Sequence, residues 1–173
     1  MRAFVAIDIP NDIKNEIIKI QKTLPEFSGK KTEPENLHLT LKFLGEVDEK
    51  EVKTVKDKLN LIKVKRFETE IDRIGFFDNI NSGIVWLHMA DCGELQKEID
   101  EALKSLFLIE KRFMSHLTVA RVKQVKDKSK FLKELHEIEF DKIRFEVKNF
   151  KLKESVLTKN GSVYRDIEVY DLK

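Results

Sequence analysis

The chain has 173 residues, 41% of them hydrophobic, enough to bury one proper core within a single domain or two intimately packed halves. Its 33 Lys and Arg against 31 Asp and Glu leave a formal net charge of +2, which excludes a bulk nucleic-acid binder and confines any contact with RNA to a local patch. The single cysteine, Cys92, lacks a partner for an internal disulfide or a cysteine-rich zinc site, so a reducing cytoplasm is the expected setting.

The segment from Met1 to Asp8 holds a short apolar run that stops at a carboxylate, which reads as a first strand over 2–9 and not as a signal-peptide core. No stretch approaches the roughly 20 apolar residues that span a bilayer, so a soluble protein without a membrane partner is expected. Pro10 and Asn11 open a helix whose apolar face is Ile13, Ile17, Ile20 and Leu24. After a polar loop, a strand over 37–45 begins Leu37-His38-Leu39-Thr40 and ends at Gly45. Asp48 opens a second helix with the stripe Val52, Val55, Leu59 and Ile62. One long strand or a pair follows over 66–77.

The order then begins again. A strand over 84–90 leads through Asp91-Cys92-Gly93 into a helix burying Leu95, Ile99, Leu103 and Leu106. His116-Leu117-Thr118 starts the next strand, a helix over 129–138 carries Phe131, Leu132 and Leu135, and strands occupy 143–157 and 162–171. Each half therefore reads strand, helix, His-Leu-Thr strand, helix, strand, with the two tripeptides 78 positions apart. This pattern predicts one duplicated α+β domain over 1–173 with pseudo-repeat halves, against chance repetition as the alternative.

Residues i and i+2 of a strand share a face, so His38 projects with Thr40 and His116 with Thr118, backed by Leu39, Leu41, Leu117 and Val119. If the halves pack face to face, two imidazoles and two hydroxyls surround one cavity. Phosphodiester cleavage needs that set: one group takes a proton from the attacking oxygen, another protonates the leaving oxygen, and neutral donors hold the non-bridging oxygens. Nothing resembles a metal-binding His-Glu-x-x-His, an Asp-rich loop or a Walker-type glycine loop, so neither metal nor cofactor is expected. A single histidine on such a strand is more often a packing residue; two at equivalent points of a repeat reverse that preference. His88 and His136 lack the pattern and read as structural.

The segments His38-Leu39-Thr40-Leu41-Lys42-Phe43-Leu44-Gly45 and His116-Leu117-Thr118-Val119-Ala120-Arg121 resemble the paired motifs of the two-histidine phosphoesterases, in particular the RNA 2',3'-cyclic phosphodiesterases also called 2'-5' RNA ligases. The resemblance runs from Arg2-Ala3-Phe4-Val5-Ala6-Ile7-Asp8 to Gly161-Ser162-Val163-Tyr164. One departure is Ser115, where many relatives have proline before the second histidine. The resemblance implies a bilobal fold, each half an antiparallel sheet with two helices, around a positively charged cleft. It implies hydrolysis of an RNA 2',3'-cyclic phosphate end to a 2'-phosphate, with tRNA fragments among the RNAs and a nucleotide as a further ligand, and reversible 2'-5' joining. It also assigns His38 as proton donor and His116 as proton acceptor, a polarity that two nearly symmetric halves leave open.

Phe43 and Arg121 stand five residues after each histidine, where ring and guanidinium would sandwich a terminal base. An odd offset lands on the wrong face unless a bulge intervenes. A core Phe43 and a surface or phosphate-binding Arg121 are the alternatives. Lys42, Arg112, Lys123 and Lys126 are candidates for steering RNA, while Trp86 and Tyr164 could line the cleft, though an aromatic in an apolar strand is more often core. A monomer is the default. Two other functions remain open: a phosphoesterase acting on a cyclic nucleotide or small metabolite, and a non-catalytic module that binds RNA ends or nucleotides.

Overall fold

The computed structural model describes residues 1–79 and 82–173, which form an α+β chain of four helices and nine strands. β1 (Arg2–Asp8) is buried on both faces from Ala3 to Ile7, as an unbroken apolar run requires of a central strand. α1 (Asn11–Lys22) buries Ile13, Ile17 and Ile20. β2 (Ser28–Lys31) lies in what the sequence reads as a polar loop. Its four residues are all exposed, with no alternation to betray a strand; it exists because it pairs with a later strand.

β3 (His38–Glu46) precedes α2 (Glu49–Leu59), whose start is fixed by a capping box in which Asp48 accepts from the Glu51 amide at 2.8 Å and Glu51 accepts from the Asp48 amide at 2.9 Å. β4 (Phe67–Asn79), β5 (Ser82–Met89) and α3 (Gly93–Leu103) follow. Leu106, expected on the buried face of α3, lies beyond its end and is exposed. β6 (His116–Gln124), α4 (Lys128–His136), β7 (Ile143–Val147), β8 (Asn149–Thr158) and β9 (Gly161–Asp171) complete the chain. The strand expected over 143–157 is thus two. Inward residues fall at Ile143, Phe145 and Val147, then at Phe150 and Leu152, so the alternation slips by one at Lys148 and the two runs cannot share a face.

The sheet is antiparallel throughout, in the order β7-β4-β5-β6-β3-β1-β8-β9, with β2 also paired to β6. It divides into two wings, β7-β4-β5-β6 and β3-β1-β8-β9, which meet where Leu39 of β3 pairs with Leu117 of β6. The wings do not coincide with the halves of the chain. β4, from the first half, pairs with β5; β8 and β9, from the second, extend β1. The helices cross over too: α1 packs against β6 and β7, and α3 against β3. Each histidine strand is therefore supported by a helix from the other half.

Candidate active site

β3 and β6 carry the same burial pattern through all nine positions, with histidine and threonine half-buried, the leucine between them buried, then two consecutive buried residues and an exposed one. The consecutive buried residues mark a β-bulge in each strand. Val5 faces Lys42 while Ala6 faces Thr40, leaving Leu41 extra; Val85 faces Ala120 while Trp86 faces Thr118, leaving Val119 extra. Each bulge restores the phase, so the residue five after each histidine returns to the histidine's face. Phe43 and Arg121 accordingly line the same cleft as His38, Thr40, His116 and Thr118.

That cleft, of about 530 Å³, lies between the wings and has the size of a small-ligand site. Arg2, Lys30, Lys31 and Arg121 line it, with Glu33 as its one carboxylate, bonded to Lys30 at 2.5 Å. Positive charge is thus concentrated locally in a chain of nearly balanced charge. Phe43 is 71% exposed, a ring open to the cleft and not packed in the core.

Both imidazoles are held the same way. His38 Nδ1 donates to the Asn36 carbonyl at 2.8 Å and His116 Nδ1 to the Met114 carbonyl at 2.8 Å. A carbonyl can only accept, so Nδ1 carries the proton and Nε2 of the neutral ring is a bare acceptor. His38 Nε2 takes the Thr40 hydroxyl at 3.1 Å. Each ring also meets an aromatic edge-on, His38 against Tyr164 at 5.0 Å between centroids and His116 against Phe77 at 5.1 Å. Tyr164, for which sequence reasoning favours the core, lines the cleft; Trp86 is core, its ring filling the space above Gly75.

Burial pushes the His38 imidazole down to about 4, with Lys153 and Arg121 acting in the same direction and the Asn36 carbonyl and Asp8 opposing. Asp8, directly across from His38 on β1, is already engaged: Lys153 donates to it at 2.8 Å and Lys151 bridges it at 2.9 Å, both lysines also holding Asp166. A neutral native His38 gives stability a pH dependence. Between pH 6.5 and about 4 the unfolded chain binds a proton that the folded chain refuses, so stability falls as pH drops through this window. The full loss is roughly 3 kcal/mol. His38→Gln removes it, and urea titrations at pH 7 and pH 4 check the difference; equal acid losses in both proteins would refute it.

Of the other basic residues near the motifs, Lys42 does not face the cleft. It is buried on the bulge, its ammonium bonded to Asp100 of α3 and to the Leu108 carbonyl at 2.7 Å, because the bulge turns it with Leu41 toward the helices. Arg112, Lys123 and Lys126 are outside the cleft lining as well. The Val119 bulge is supported similarly: Gln21 of α1, buried, donates to the Val119 carbonyl at 2.9 Å. His88 is bonded to Asp72 at 2.7 Å and His136 to the Leu132 carbonyl at 2.6 Å, and neither lines the cleft. Ser115 is buried, and its carbonyl accepts from the Met89 amide at 3.3 Å, carrying the β5–β6 ladder one residue past His116.

The LigT-like phosphoesterase family model matches residues 7–86 and 90–164, and each matched segment contains one His-Leu-Thr strand. The chain belongs to the LigT-like phosphoesterases. Among relatives of this LigT-like phosphoesterase, the RNA 2',3'-cyclic phosphodiesterase of Methanocaldococcus jannaschii is 40% identical over 97% of this chain and 99% of its own length. That of Archaeoglobus fulgidus is 36% identical over 99% and 100%. Escherichia coli LigT, solved in apo form, superposes with a TM-score of 0.79 at 25% identity over 99% of this chain and 96% of the other; it has also been solved complexed with 3'-AMP.

Proposed function

We propose that this LigT-like phosphoesterase opens the 2',3'-cyclic phosphate at the end of an RNA, tRNA fragments included, and leaves a 2'-phosphate and a free 3'-hydroxyl, without a metal ion. The observation that carries the reading is the pair of bulged strands that bring two Nε2 atoms and two threonine hydroxyls to one basic cleft. The names of the relatives support the substrate, and the 3'-AMP complex of E. coli LigT supports a nucleotide-sized ligand.

In the reaction, His116 Nε2 takes a proton from water, the water oxygen bonds to phosphorus, the P–O3' bond breaks, and His38 Nε2–H protonates O3'. Thr40 and Thr118 donate to the non-bridging oxygens, and Phe43 and Arg121 flank the terminal base. The same pair run with a 5'-hydroxyl in place of water forms a 2'-5' linkage, which makes weak ligation part of the proposal. The matching patterns of β3 and β6 support one domain of two pseudo-repeats; a monomer working in the cytoplasm is part of the proposal. No helix of the described residues is long and apolar enough to cross a membrane.

A neutral His38 cannot give a proton, and this favours a second polarity in which His38 is the base and His116 the acid. Substrate changes that state. A phosphate monoanion about 4 Å from the ring, at an effective dielectric near 20, favours the imidazolium by about 4 kcal/mol. That is roughly a thousandfold in proton affinity, enough to make His38 an effective acid near neutral pH. Two nearby positive charges oppose it, Lys153 behind the site and Arg121 in the cleft.

The function is tested with RNA oligomers and mononucleotides bearing 2',3'-cyclic ends, assayed in EDTA with the phosphate position of the product read by NMR. Turnover of RNA ends to 2'-phosphates in EDTA is expected. Exclusive turnover of a small non-RNA ester would assign the cleft to metabolites, and binding of RNA ends without turnover would make the protein a binding module.

A further inference from the structure

The hold on His38 passes through a weak element. Asn36 closes the 3-10 turn Pro34–Asn36, which is stabilised internally by bonds of the Asn36 amide to Glu33 at 2.9 Å and of the Leu37 amide to Pro34 at 3.3 Å. A single 3-10 turn does not by itself keep one carbonyl in register with an imidazole. The Asn36 side chain supplies the brace. Its Nδ2 donates to the Ser162 carbonyl of β9 at 3.3 Å and to the Glu33 carboxylate at 3.4 Å.

The hairpin of β8 and β9 is fastened beside it by Lys30, whose ammonium donates to the Asn160 carbonyl at 3.3 Å. Two residues past Ser162, Tyr164 of the same hairpin presses against His38 at 83° between ring planes. Turn, imidazole and hairpin therefore form one interlocked unit. At the other histidine the corresponding carbonyl belongs to Met114, whose thioether side chain cannot donate such a bond.

We infer that Asn36 is the positioning residue for His38: its side chain clamps the turn to the β8–β9 hairpin, and the carbonyl so held fixes the ring with Nε2 toward the phosphate site. The kinetic consequence rests on the proposed acid–base role of His38; the positioning does not. Without the amide, the turn loses its tie to β9, and the ring is free to exchange between its two neutral tautomers.

The test is nitrogen-15 NMR of the imidazoles in the ligand-free protein at pH 7, together with steady-state kinetics, for Asn36→Ala and Asn36→Asp. The aspartate is isosteric but lacks the donor, and it is the second variant should the alanine fold poorly. Wild type is expected to show His38 as a single Nδ1–H tautomer. Both variants are expected to show a tautomer mixture at His38 with His116 unchanged. In both, kcat falls roughly 10- to 100-fold, the usual size of a positioning defect, with KM within about twofold. Thr69→Ala, which loses a part-buried hydrogen bond from the start of β4 to the Ala90 carbonyl just after β5, controls for general destabilisation and leaves both readouts unchanged. A single Nδ1–H tautomer in the variants overturns the inference, whatever happens to kcat. A tautomer mixture with wild-type turnover upholds the positioning and removes His38 from the chemistry.

Discussion

His38→Ala and His116→Ala each lower kcat on a 2',3'-cyclic RNA end by about 10²–10⁴, the range for loss of one positioned acid or base. Replacing the 3'-oxygen of the substrate with sulfur separates their roles. A thiolate leaves without protonation, so the variant lacking the general acid recovers most of its activity on the sulfur substrate, while the variant lacking the base stays slow on both. With His38 as donor, His38→Ala is the one rescued. Rescue of His116→Ala instead would establish the reverse polarity, which the unprotonated His38 of the ligand-free protein favours. Rescue of neither would remove leaving-group protonation from the mechanism. The double variant should be little worse than either single one, because a proton relay with one end missing is already broken. The pH profile of kcat/KM should be bell-shaped and report on the pair together.

Much of this site is legible in the sequence because its signal is local. Histidine and threonine two apart on a strand must share a face, and Leu39 and Leu117 between them must face the opposite way, as they do at 0% exposure. The sequence reading of Phe43 and Arg121 requires a bulge, and that requirement is itself a statement about structure. What it does not reveal is where the bulge sits or what stabilises it, because Gln21 and Asp100 lie 98 and 58 residues from the groups they bind. Non-local pairing also explains the other differences. β2 has no apolar pattern and is defined by its partner; there Gly29, at φ +151°, lets the chain approach the Arg121 carbonyl where a Cβ would lie 2.1 Å away. The break at Lys148 was visible as a phase slip from odd to even apolar positions. Tyr164 sits in a half-exposed stretch of β9 whose pattern does not distinguish core from cleft. Its assignment depends on the hairpin reaching His38, which no short window of sequence contains.

The bulge of β3 is a point where stability and function meet. Asp100→Ala is expected to destabilise the fold by about 3–5 kcal/mol, because it leaves the Lys42 ammonium buried without its counter-charge. In a protein of this length that lowers Tm by on the order of 10 °C. Burial works against the Asp100 carboxylate, and hydrogen bonds from Lys42, Gln96 and the Glu110 amide more than offset it, holding the carboxyl below its usual range. The paired replacement Lys42→Met with Asp100→Leu removes both charges at once and should recover part of the lost stability, since an apolar pair of similar volume avoids the ionic desolvation cost but leaves Gln96, the Glu110 amide and the Leu108 carbonyl without these partners. The two variants then separate what the ion pair does for folding from what it does for the site. If its role is to seat the bulge, the apolar pair is stable yet weakened in kcat/KM on RNA ends. Without the bulge, strict alternation carries Phe43 away from the face of His38. Wild-type kcat/KM in the apolar pair would show that packing of Leu41 alone sets the bulge, and an unchanged Tm in Asp100→Ala would show that Lys42 finds another partner or reaches solvent.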